Sequence, residues 1–174
     1  FTQSLPFRLT DAQRKSAFEI LRDLERTRPM NRLLNGDVGS GKTVVAAIAA
    51  LSVLEKGRQV AIMAPTEVLA KQHFESFSRL FKNYDFNIGL LTNSHKLTSR
   101  KRHPELVEGS TLKYHQQNYQ TDSSTPLRYT QNDRKKLLKD IANDKIDLII
   151  GTHALIQKDV AFRKLALVII DEQH

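Results

Sequence analysis

The sequence predicts an α/β domain, a mostly parallel β-sheet with helices on both faces. Three observations carry that expectation. Residues Gly36-Asp37-Val38-Gly39-Ser40-Gly41-Lys42-Thr43 satisfy the phosphate-loop pattern G-x-x-x-x-G-K-[ST], entered from an apolar run (Leu33-Leu34) and left by a helix-forming one (Val44 to Leu54). Short apolar runs then alternate with helical stretches, the order of parallel strands joined by helical crossovers. The last such run, Leu167-Val168-Ile169-Ile170, ends in two carboxylates, Asp171-Glu172.

Taken in order, the chain opens with Phe7-Arg8-Leu9-Thr10 ahead of a helix. Thr10 and Gln13 have the spacing of a capping box. Phe18, Leu21 and Leu24, with Ala17, form an apolar stripe at helical spacing, and Arg28-Pro29 stops the helix. Gln13 has two available roles. It can close the helix end, which the spacing favours, or pair with an adenine edge, because a carboxamide both donates and accepts.

Arg32 to Asn35 reads as the first strand and the phosphate loop follows it. In that loop glycines let backbone N–H groups approach a phosphate with no Cβ in the way. The helix starting at Lys42 adds the positive end of its dipole. Lys42 is placed to reach the β- and γ-phosphates, and the Thr43 hydroxyl to bind Mg²⁺. Ala46, Ala47, Ala49 and Ala50 would let this helix lie close to a sheet, and Gly57 is placed to cap its end. Gln59 to Ala64 is a nearly continuous apolar strand of the kind buried on both faces. Glu67 to Phe81 reads as a helix with Leu69, His73, Phe77 and Leu80 along one side, His73 as a packing residue. Phe86 to Leu91 is a third strand, ending in Thr92-Asn93-Ser94.

Residues 103–131 are polar, rich in Ser and Thr, and show no apolar period. A structureless stretch of that length is uncommon inside a compact domain. It reads as a flexible surface insertion, with a nucleic-acid arm as the alternative. Its flanks, Thr98 to Arg102 and Asp133 to Ala142, are basic and helical in composition. Ile146 to Ile150 is a fourth strand, followed by Gly151-Thr152-His153-Ala154-Leu155, and Leu165 to Ile170 a fifth.

Composition narrows the partners. The 174 residues carry 27 Lys and Arg against 19 Asp and Glu, a net charge of +8. Residues 95–140 contain ten of those bases and five of the acids, so the excess is concentrated there. Such a charge suits nucleic acid or a solvated basic surface, and charge alone leaves both open. No apolar run approaches the roughly 20 residues of a membrane span, so no membrane partner is expected. The chain has no cysteine, which excludes disulfides and thiolate metal sites and is compatible with the cytoplasm. It begins at Phe1, which suggests a piece of something longer.

In a parallel sheet, ligands bind beyond the carboxyl ends of the strands. Those ends carry the phosphate loop, Pro65-Thr66, Thr92-Asn93-Ser94, Gly151-Thr152-His153 and Asp171-Glu172, so one rim is expected to hold every polar cluster. Paired with the phosphate loop, Asp171 is placed to hold Mg²⁺, usually through water, and Glu172 to orient or deprotonate an attacking water. ATP or GTP would fit. Nothing selects guanine, and Gln13 near Phe7 leans towards ATP.

Asp171-Glu172-Gln173-His174 after an apolar strand resembles motif II of the superfamily 2 helicases. Several further segments are similar to the RecG family, bacterial ATP-dependent branch-migration helicases. They are Leu5 to Gln13, Pro29-Met30-Asn31-Arg32-Leu33-Leu34 with the phosphate loop, Met63 to Ala70, Gly151-Thr152-His153-Ala154-Leu155-Ile156-Gln157, and Leu167 to His174. The resemblance omits only about 103–131. Transcription-repair coupling factors are similar too, but typically carry Phe where Ser40 stands and D-E-E-Q in place of D-E-Q-H, and so rank second. A non-motor P-loop nucleotide-binding protein is the third alternative.

The resemblance implies a RecA-like P-loop domain, the first motor lobe of a DNA helicase using ATP and Mg²⁺ in the bacterial cytoplasm. It makes Phe7 and Gln13 adenine contacts, and Lys42, Asp171, Glu172 and His174 the catalytic set. Pro65, Thr66, Asn93, Ser94, Thr152 and His153 become contacts to a DNA backbone, independent of sequence. Gln173 and His174 would link the γ-phosphate to the DNA side. The family remodels stalled forks and Holliday junctions in repair and recombination. Against its pattern, the insertion is additional and the chain stops after motif II. Motif III, the second lobe with its arginine finger and the amino-terminal wedge domain are therefore expected elsewhere. Loss of an arginine finger alone typically costs about 10³–10⁵ in rate.

Overall fold

The computed structural model describes residues 7–93, 96–99 and 131–172. The elements are α1 (Asp11–Leu24), α2 (Lys42–Leu54), β1 (Gln59–Met63), α3 (Glu67–Leu80), β2 (Ile88–Leu91), β3 (Lys96–Ser99), α4 (Gln131–Ala142), β4 (Leu148–Gly151), a 3₁₀ turn (His153–Ile156) and β5 (Leu165–Ile170). The strands form one sheet in the order β3-β2-β4-β1-β5. β2, β4, β1 and β5 are parallel, and β3 pairs antiparallel with β2.

The four parallel strands are short because each apolar run lasts only about four to six residues before a Pro, Thr or Asp interrupts it. Side chains alternate between two cores, as the strand period of two requires. Val60, Ile62, Leu90, Leu148, Ile150 and Leu167 join α1, α2 and α3 on one face. Ala61, Leu91 and Ile149 join Leu137 and Ile141 of α4 on the other. Helices therefore cover both faces.

Local chemistry sets the helix ends. At α1 the Thr10 backbone N–H donates to Gln13 Oε1 (2.9 Å) and the Gln13 N–H to Thr10 Oγ1 (3.2 Å), the reciprocal capping box. α1 buries Ala17 and Ile20 with Leu24 partly covered, whereas Phe18 is 65% exposed. The stripe expected through Phe18 and Leu21 is thus turned by one residue, about 100° around the helix. The helix ends at Leu24, ahead of Arg28-Pro29. In α2 the fully buried Ala47 and Ala50 allow close approach to β1 and β5. Gly57, at φ +65°, closes it with its N–H on the Leu54 carbonyl (2.9 Å).

One buried polar group ties the second core together. The Gln59 side chain, on a residue 2% exposed, donates to the carbonyls of Ile141 (3.0 Å) and Ile146 (2.9 Å). Its oxygen accepts from the N–H groups of Arg163 and Lys164, both at 3.0 Å. A single amide links the end of α4, the approach to β4 and the approach to β5, with all of its main hydrogen-bonding directions satisfied.

Three expectations are corrected. Residues 32–35 do not form a strand: Leu33 is 81% exposed and the sheet ends at β5 among the described residues. With no neighbouring strand to pair with, this segment is held by side chains instead. Arg32 bonds Asp23 (2.9 and 2.5 Å) and Glu19 (2.9 Å) on α1. The helical reading of Thr98 to Arg102 also fails where it can be seen, since Thr98 and Ser99 lie in β3 opposite Gly89 and Ile88. The third and fourth strands each start two residues later than expected, at Ile88 and Leu148. Of the expected insertion, Gln131 belongs to α4 and the rest lies outside the described residues. So do Ser94, Gln173 and His174.

Candidate functional site

The register brings the carboxyl ends of four strands to one rim. Met63 lies opposite both Gly151 and Ile170, and Leu91 opposite Gly151. Gly151 makes this closeness possible: a Cβ there would sit 2.1 Å from the Leu91 carbonyl oxygen. Beyond these ends come Pro65-Thr66, Thr92-Asn93, Thr152-His153 and Asp171-Glu172, as the sequence implied.

The phosphate loop has the geometry its glycines permit. Gly39 (φ +81°) and Gly41 (φ +80°) are left-handed, a region L side chains enter only with strain. Gly41 is the N-cap of α2, and no side chain caps that end. The Val44 N–H bonds the Gly41 carbonyl (3.0 Å), and the N–H groups of Lys42 and Thr43 remain for an anion. Lys42 folds over the loop, its Nζ donating to the carbonyls of Gly36 (2.6 Å) and Asp37 (2.9 Å). The Ser40 N–H closes the turn on Asp37 (3.1 Å). Left-handed glycines, an uncapped helix start and an ammonium group fit a polyphosphate.

Gln13 takes the capping role, and its amide nitrogen finds a second partner within the protein. While its oxygen closes the α1 cap, its Nε2 donates to the Ser40 carbonyl (2.8 Å). The spacing that marked the cap gave no hint of this second bond, which fastens α1 to the phosphate loop. Phe7 is exposed ahead of α1.

Across the sheet, the Asp171 N–H extends the ladder by bonding the Met63 carbonyl (2.8 Å). Its Oδ2 lies 2.6 Å from His73 Nε2 of α3. The other carboxylate oxygen has no protein partner among the described residues. Mg²⁺ takes one or two carboxylates and keeps several waters, and the Asp171 carboxylate is of the kind that suits it. Glu172 is exposed and left-handed (φ +49°), a strained turn of order 1 kcal/mol for a non-glycine residue.

The expected strand contacts differ in display. Pro65, Thr66, Asn93 and His153 are exposed, but Thr152 is buried. The Thr66 hydroxyl caps α3, accepting from the Leu69 N–H (3.3 Å). Arg134 of α4 forms an ion pair with Asp159 and donates to Gln157 Oε1 (2.6 Å), bracing the loop after the 3₁₀ turn. His73 was expected only to pack. Its signal lies in space rather than in sequence, since its partner is 98 residues away.

Residues 10–116, more than half of the chain, match the DEAD/DEAH box helicase family, and the chain belongs to that family. Among its relatives it is similar to the ATP-dependent DNA helicase RecG of several bacteria. It is 42% identical to that of Aquifex aeolicus over 172 residues, covering 99% of this chain and 17% of the relative. It is 43% identical to that of Bacillus subtilis over 174 residues, covering 100% of this chain and 20% of the relative. A solved structure of RecG bound to a three-way DNA junction matches with a TM-score of 0.75 and 40% identity, over 99% of this chain and 19% of that one. The chain therefore spans about a fifth of the length of these relatives.

Proposed function

We propose that this chain is the ATP-binding lobe of a DNA helicase that remodels forked and branched DNA, acting in fork regression and Holliday-junction branch migration during repair and recombination. The feature that supports this most is a phosphate loop of anion-binding geometry in the same domain as a strand-end rim that carries Asp171-Glu172 and exposed Pro65, Thr66, Asn93 and His153. The similarity to a protein solved on a three-way junction supports branched DNA as the partner.

In this reading Lys42 leaves the loop carbonyls for the β- and γ-phosphates. Thr43 and Asp171 would hold Mg²⁺, Glu172 would orient the attacking water, and Gln173 and His174 would link the γ-phosphate to the DNA side. Phe7 and Gln13 take the adenine. Mg²⁺ supplies neutralisation of the charge developing on the transferred phosphoryl group. Pro65, Thr66, Asn93, Ser94, Thr152 and His153 hold the DNA backbone, Thr152 from beneath through its main chain. A second lobe and a wedge domain complete the motor, which works in the bacterial cytoplasm. The chain alone binds Mg·ATP weakly and turns it over very slowly.

The test is to titrate a fluorescent ATP analogue with Mg²⁺ into this chain and its Lys42→Ala variant. Saturable binding, weakened about tenfold or more by the loss of one charge-assisted contact, is expected. A folded chain with no saturable binding would refute the reading.

A further inference from the structure

We propose that His73 is a positioning residue that sets the Asp171 carboxylate for the metal and ties it to the strand-contacting start of α3. The inference rests on the reading above. A carboxylate oxygen accepts, so the 2.6 Å contact places the proton on His73 Nε2. Asp171 is then fixed twice, its backbone on β1 through Met63 and its side chain on α3 through His73. The remaining oxygen has no protein partner among the described residues, on a side chain 32% exposed.

The imidazole cannot swing freely. Its side chain is 16% exposed, and its ring stands edge-on to Phe77 at 6.4 Å and 72°. Phe77 is 1% exposed and is itself edge-on to Phe81 at 5.8 Å. A side chain that only filled space would not need a carboxylate partner, and one that only held charge would not need this packing.

His73 also sits seven residues after Thr66, close to two turns along α3. Pro65 and Thr66 begin the segment proposed to touch the DNA backbone, and a helix moves as a rigid rod over two turns. A shift of that segment on DNA would carry His73, and with it the direction of Asp171. Strand occupancy would thereby reach the metal site through one hydrogen bond.

The experiment measures N-methylanthraniloyl-ATP binding by this chain against Mg²⁺ concentration in the parent, His73→Ala and His73→Gln. In EDTA all three are expected to bind alike, since His73 does not touch the nucleotide. In His73→Ala the Mg²⁺ concentration at half-effect should rise about tenfold, the usual size for losing a partner of a metal-binding carboxylate. His73→Gln, which can return an N–H to Asp171, should recover most of that shift. An unchanged midpoint in His73→Ala would overturn the proposal, as would an equal loss with and without Mg²⁺, or a folded His73→Gln no better than alanine. If the parent itself shows no Mg²⁺-dependent binding, the functional reading falls as well. If the parent responds and His73→Ala responds identically, only the role of His73 falls.

Discussion

Replacing Gln59 by Met keeps the length and shape of the side chain and removes every polar atom from it. The structure sets the size of the effect. The Ile146 carbonyl loses its donor, and the Ile141 carbonyl keeps only the Asp144 N–H (3.2 Å), in a place water does not reach, because both residues are at most 1% exposed. The orphaned Ile146 carbonyl costs about 1–3 kcal/mol and the lost second bond to Ile141 about 1 kcal/mol. The N–H groups of Arg163 and Lys164 add less, since those residues are exposed and water can replace the lost acceptor. A total of about 2–4 kcal/mol follows, a large share of the 5–15 kcal/mol typical of a domain. With a urea slope of about 2 kcal/mol per molar, the midpoint should fall by roughly 1–2 M. Gln59→Glu keeps an acceptor for the two N–H groups but loses both donors and buries a charge, so it should fall at least as far. The assay is urea unfolding followed by circular dichroism. A midpoint shift below about 0.3 M for Gln59→Met, at an unchanged slope, would refute the claim that this amide holds the second core to the sheet.

Gly39→Ala and Gly41→Ala should each lose about 1–2 kcal/mol to left-handed strain. Only the latter drives a Cβ to 2.4 Å from Gln13 Nε2, so thermal melts should show Gly41→Ala as the more destabilised, while open space surrounds position 39. Gly151→Ala meets the Leu91 backbone at 2.1 Å and must part β2 from β4, so a loss of about 1–3 kcal/mol and weaker binding of forked DNA by anisotropy are expected. Burial first, then the carboxylates of Asp144 and Asp85, push the Asp147 carboxyl up, against the hydrogen bond from the Asn87 N–H. Its folded state therefore favours the protonated form, and stability from it is present below the ordinary value of 3.8 and lost as pH rises through the raised one. Asp147→Asn should melt higher than the parent at pH 7, with the gap closing below about pH 3.8.

What could be read from the sequence was what adjacent residues determine. The phosphate loop, the Thr10–Gln13 cap, the Gly57 helix stop and the bounds of β5 all rest on spacings of a few residues, and all are found. The rim followed, because parallel strands of similar length must end together. Features that depend on distant partners were not readable. Apolar Leu33-Leu34 looks like a strand, but a strand needs a neighbour, and β5 is the edge of the described sheet. Thr98, at the head of the basic stretch to Arg102, looked helical, although its place beside Gly89 is fixed by the hairpin rather than by its own propensity. Gln59 passed as one more member of an apolar run, since its partners lie 82 to 105 residues away. His73 was hidden in the same way.

The central claim is that the loop at 36–43 and the end of β5 hold one Mg²⁺–triphosphate between them. Backbone amide NMR of the chain, titrated with Mg²⁺ and a non-hydrolysable ATP analogue, addresses it directly. The account predicts the largest shifts at Gly36 to Thr43, with a Mg²⁺-dependent change at Asp171 and at His73. Shifts confined to other parts of the chain, or a phosphate loop that stays unchanged at saturating nucleotide, would contradict it.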